Sequence, residues 1–119
     1  MADIYTDAGE DITADILDGT TTAPTWRVGW GTGGGTAGKS DTTLFTEASE
    51  SRVVSALTQP SPNVNQFIST ITADGSKTIT NAGVFDVAAA GEMLLKSDFS
   101  GIALALNDKI EFTFQLTWS

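Results

Sequence analysis

Apolar and polar positions alternate along most of this chain with a period of two, the period of a strand that buries one face. The clearest stretch is Lys109 to Trp118. There Ile110, Phe112, Phe114, Leu116 and Trp118 face one way, and Lys109, Glu111, Thr113, Gln115 and Thr117 face the other. The same alternation puts Trp26, Val28 and Trp30 on one face of an earlier strand. Arg52 to Leu57, Gln66 to Thr72, Lys77 to Val87 and Met93 to Phe99 read as further strands. Ile102, Leu104 and Leu106 alternate with alanines, a pattern that predicts a strand covered on both faces. Asp74-Gly75 is a hairpin signal, Gly91 breaks a loop, Asn107-Asp108 turns the chain into the last strand, and Pro60 and Pro62 mark a loop or an edge.

One segment departs from this period. Residues 10–18 place Ile12 and Ile16 four apart on one helical face, with acids enriched toward the start and Gly19 positioned to cap the end. Thr20 to Pro24 is a polar turn. Residues 31–41 form a glycine-rich loop, and Asp41 to Ser51 has room for a helical turn that Thr42 and Thr43 weaken. Short strands about 10 residues apart with turns between them predict a mainly β chain, an antiparallel β-sandwich (jelly-roll-like) or small barrel, with one short N-terminal helix. The 119 residues are expected to form a single β domain, with 1–24 an acidic N-terminal arm carrying the helix.

Charge sharpens this picture. The formal net charge is −9, from 15 acids and 6 bases, which argues against nucleic acid as a partner. Residues 1–18 hold six of those acids (Asp3, Asp7, Glu10, Asp11, Asp15 and Asp18) and no base. Such a segment is either a solvated face or a docking surface for a basic partner. The residues expected to touch a partner are Tyr5, Asp7, Asp11, Asp15 and Asp18. No apolar run approaches the length of a membrane span, and the start lacks a basic stretch followed by an apolar one, so neither a membrane nor a secretory signal is expected.

Candidate chemistry is sparse. The chain has no His and no Cys, which removes Ser-His-Asp and Cys-His catalysis, disulfides and the usual zinc ligands. No carboxylate pair is singled out by spacing, so no catalytic residue, cofactor or metal is expected. One motif matches a phosphate-binding loop: Gly33-Gly34-Gly35-Thr36-Ala37-Gly38-Lys39-Ser40. That chemistry needs the motif to open a helix within a parallel α/β sheet, and the residues after Ser40 lack a sustained apolar helical face. The glycines read better as a surface loop. Trp26, Trp30 and Trp118 lie on apolar strand faces and read as core, with an interface anchor or a sugar-stacking platform as the alternative.

Several stretches together carry a family resemblance. They are Trp26 to Gly33, Ser40 to Glu47 with Arg52-Val53, Ile79 to Asp86, Gly91 to Leu95 and Asp108 to Phe114. In this arrangement the chain resembles small structural proteins of tailed bacteriophages, a group similar to capsid decoration and head-fibre components. The resemblance implies a virion protein assembled in the host cytoplasm, with the major capsid protein or other virion proteins as partners and a homo-oligomer, by shell symmetry a trimer. It implies a capsid decoration (cement) protein that bridges coat subunits. A tail, baseplate or fibre component, or a carbohydrate-binding β-sandwich, are the alternative readings.

Overall fold

The computed structural model describes residues 3–118. Among them eight strands and one helix run in the order β1 (Ile4–Tyr5), α1 (Asp7–Leu17), β2 (Arg27–Gly31), β3 (Val53–Val54), β4 (Ala56–Ser61), β5 (Val64–Thr72), β6 (Lys77–Phe85), β7 (Met93–Leu104) and β8 (Lys109–Thr117). The strands form a five-stranded sheet in the order β1-β7-β6-β2-β3 and a three-stranded sheet in the order β4-β5-β8. Every pairing is antiparallel.

The alternation in the sequence explains why the two sheets stack. Val28 and Trp30 of β2 and Ala82 and Val84 of β6 meet Phe67 and Ile71 of β5 and Phe112, Phe114 and Leu116 of β8 in one apolar cluster. The Trp30 ring stands edge-on to Phe112 with centroids 6.1 Å apart, and Trp26 meets Phe67 in the same way at 6.0 Å. The predicted antiparallel sandwich is the observed architecture. Three connections, β3 to β4, β5 to β6 and β7 to β8, cross between the sheets, whereas β4–β5 and β6–β7 remain neighbours in one sheet.

Those crossings correct several expectations. Arg52 to Leu57 is not one strand: Ser55 separates β3 from β4, and its N–H and hydroxyl both bond the Trp26 carbonyl. The chain thereby leaves one sheet edge for the other. Asp74-Gly75 does not close a hairpin within a sheet, because β5 and β6 lie in opposite layers. The two stretches expected around Phe99 and Leu104 are one strand, β7. Nor is its far end covered on both faces. Leu104 is buried, but Ile102 and the following Leu106 are exposed, the latter by 60%. Trp118 lies beyond β8 and is 40% exposed, so it is a rim residue rather than core.

The helix begins earlier than the apolar spacing indicates. Thr6 caps α1, its Oγ1 accepting from the Gly9 N–H at 2.9 Å while its hydroxyl donates to the Met93 carbonyl. Gly9 lies against the β7 backbone, where a Cβ would stand 2.6 Å from the Leu94 oxygen. Gly19 adopts φ +77 just past the end, the capping position expected of it. The N-terminal segment is therefore built into the sandwich and is not a separable arm. Thr6 is fully buried and Ile12 nearly so. The Asp3 carboxylate accepts from Ser97 of β7 and from the Gln115 N–H of β8, tying the two sheets together.

Phe114 is fully buried at the centre of the inter-sheet cluster, stacked on Phe112. Phe114→Ala should lower unfolding stability by about 3–5 kcal/mol in urea titrations. A loss below about 1 kcal/mol would show that this face is not the core.

Candidate functional site

The glycine-rich loop turns out to be a structural layer. Facing the core, β2 carries Val28 and Trp30; on its other face it carries Gly29 and Gly31, paired with Gly83 and Asn81 of β6. Residues 41–47 lie over part of that outer face. A Cβ on Gly31 would stand 2.5 Å from the Phe45 oxygen, and one on Gly83 would stand 2.9 Å from the Leu95 oxygen and 3.2 Å from Leu44. At Gly31 the missing Cβ lets the backbone of Phe45 and Thr46 approach the sheet, and at Gly83 it leaves room for the Leu44 side chain. Asp41 to Ser51 contains no helical turn; its chain pairs with the sheet through the Gly31–Glu47 bridge and the Ala48 N–H to the Trp30 carbonyl. Leu44 closes a second small apolar cluster with Phe85 and Met93.

Buried polar side chains pin this layer. The Lys96 ammonium has no solvent exposure; it donates to Asp41 at 3.0 Å and to the Thr43 carbonyl at 2.8 Å, and it lies 3.3 Å from the Phe45 ring centroid. Asn81 accepts from the Phe45 N–H and donates to the Phe45 carbonyl. Arg52 forms a two-pronged pair with Glu47, at 2.8 Å on each arm. It stacks on Phe85 and donates to the carbonyls of Val87 and Ala90, holding the β6–β7 loop. The Trp30 indole N–H donates to Glu50, which pairs with Lys77.

The phosphate-loop match lies in this layer, and its groups are engaged internally. The Gly33 N–H bonds the Phe45 carbonyl, the Ala37 N–H bonds Asp98, and the Gly38 N–H bonds Asp41. Lys39 reaches Glu10, Asp7 at 3.8 Å and the Tyr5 carbonyl at 3.0 Å. The next regular element after Ser40 is β3, not a helix. Two carboxylates stand where a phosphate would need open N–H groups.

The expected partner-binding residues divide into two groups. Asp7, Asp11, Asp15 and Asp18 recur at helical spacing along one exposed stripe of α1 and its end. Asp7 has Lys39 beside it, whereas no ion pair reaches Asp11, Asp15 or Asp18 among the described residues. Asp15 and Asp18 stand at the negative end of the helix dipole, and the last turn has no basic residue to offset them. Leu17, at the same end, is 84% exposed. Tyr5 is not on the stripe. Half-buried on β1, it donates to the Thr13 hydroxyl at 2.7 Å and meets the Trp118 ring edge-on at 5.7 Å.

No pocket is enclosed by the described residues, and no group of three or more potential metal ligands gathers among them. No helix among them is long and apolar enough to cross a membrane. Comparisons with protein-family models, with curated proteins and with solved structures found no match.

Asp41 gives this layer a pH signature. Burial pushes its pKa up, but the Gly38 N–H and the Lys96 ammonium outweigh it and hold the carboxyl below the ordinary aspartate value. Because the folded value is the lower one, the stabilisation is complete above the unfolded pKa and is lost as pH falls through the folded pKa. Asp41→Asn should cost about 1–3 kcal/mol at pH 7, with the gap to the wild type closing in acid. Urea unfolding across pH 2–7 measures this, and parallel curves would contradict it.

Proposed function

We propose that this chain is a structural protein of a tailed-phage particle, a capsid decoration protein that docks on the outer shell and bridges coat subunits. The observation that carries the reading is the acidic stripe of α1. The helix is clamped to β7 through Thr6, Gly9 and Ile12, so its outer face is held in a fixed orientation. On that face no ion pair reaches Asp11, Asp15 or Asp18 among the described residues, and two of them oppose the helix dipole. Such charge contributes nothing to the fold. It suits a basic surface on another protein, where it would speed encounter and set register.

Two further features support a binding role over catalysis: the chain has no His or Cys, and the described residues enclose no pocket. The resemblance to phage structural proteins supplies the setting. A carbohydrate-binding platform has less support, because Trp30 is buried, Trp26 is partly buried and packed on Phe67, and Trp118 is 40% exposed.

The integrated N-terminus dictates the form of the test, since deleting it would remove buried groups. Charge-neutral substitution leaves those groups in place. The triple change Asp11→Asn, Asp15→Asn, Asp18→Asn should weaken co-sedimentation with particles stripped of this protein by about tenfold in low salt. The difference should shrink above 0.1 M salt, where screening reaches about 10 Å. Undiminished binding by the folded triple variant would overturn the role of the helix.

A further inference from the structure

Among the described residues, β4 is a sheet edge with no strand partner on one side and, along its near half, no guard. β4 pairs with β5 on one side and with nothing on the other, and all six of its residues are exposed. The same run of chain, as β3, also forms the edge of the larger sheet. An open row of N–H and C=O groups invites another strand, and folded proteins usually block this with charge, proline or a bulge. The β8 edge is blocked in this way: Asp3 caps the Gln115 N–H, and Lys109 and Glu111 are charged. On β4, Pro60 and the register shift between Thr58 and Ser61 blunt only the far half. The near half carries no such device.

Charge identifies the occupant. From Val53 to Ala73 the chain has no charged residue at all, in a protein of net charge −9. Two copies that met along the helix stripe would set carboxylate against carboxylate. Along β4 they meet only Ala56, Leu57, Thr58 and Gln59, with Val54 and Leu57 each half exposed beside them. Arg27 is the cross-strand neighbour of Val54 and is positive.

We infer that β4 is a self-association edge, whose occupant is β4 of a second copy paired antiparallel across a two-fold axis. Pairing a strand with its own copy is isologous, so it closes as a dimer and joins two three-stranded sheets into one. That differs from the trimer suggested by three-fold shell positions, and it does not depend on the virion reading.

Sedimentation equilibrium from 1 to 200 μM tests it. The wild type should approach twice the 12.4 kDa chain mass, more readily as salt screens the net charge. Leu57→Glu and Thr58→Glu each bring two like charges into the short seam of the dimer, and each should remain at one chain mass with unchanged circular dichroism. If Leu57→Glu fails to fold, Thr58→Glu, at an exposed polar position, decides the matter. A wild type that stays monomeric, assembles as a trimer, or dimerises equally well in a folded Thr58→Glu variant would overturn the inference.

Discussion

A lysine ammonium buried on the outer face of the five-stranded sheet organises the rest of this molecule. Lys96 is fully enclosed, and a cation in that position is tolerated only if its charge is matched and its protons have acceptors. Asp41 supplies the charge, Thr43 a carbonyl, and Phe45 a ring face. All three belong to a segment with no regular structure of its own. Meeting the demands of Lys96 therefore fixes the path of that segment across the sheet, and Asn81 and Arg52 repeat the device at two further points. The sandwich becomes a three-layer body in which the third layer is a loop.

This arrangement determines which surfaces are left for binding. Four of the bases, Lys39, Arg52, Lys77 and Lys96, are engaged in ion pairs that hold loops or the helix start in place. The acids outnumber them, and three that no ion pair reaches among the described residues, Asp11, Asp15 and Asp18, share the helix stripe, while β4 carries no charge. One chain thus presents a strongly acidic face and a neutral edge. The first suits a basic protein surface and the second suits a copy of itself, and neither requires a cavity.

Much of the fold was legible from period alone. Ile110 to Leu116 and Trp26 to Trp30 each matched the face that the structure packs, because both alternate with large apolar residues, whereas Trp118 at the end of the last run fell on the rim. The sheet switches at Ser55 and Asp74-Gly75 were not legible: a crossing between layers uses the same turn residues as a hairpin within one. The helix start was hidden because Gly9 lowers helical propensity, while its real reason, close contact with the Leu94 backbone, is tertiary. The third layer did leave a signal. Gly29 and Gly31 alternate with Val28 and Trp30, and Asn81 and Gly83 alternate with Ala82 and Val84, so three of these four non-core positions are glycine. A solvent-facing strand has no such need, and Lys96 after Leu94-Leu95 was the matching sign. The acidic stripe was legible as charge, but its rigid attachment was not.

The direct measurement is native-state amide hydrogen exchange within the glycine-rich segment. The N–H groups of Thr32, Gly33, Phe45 and Ala48 donate to Thr46, Phe45, Asn81 and Trp30 respectively, at 2.8 to 3.0 Å. If Lys96 and its companions hold this segment as a layer, those amides should be protected to nearly the same degree as the β6 amides beneath them. Exchange at the rate of an unprotected loop, while β6 remains protected, would contradict the account.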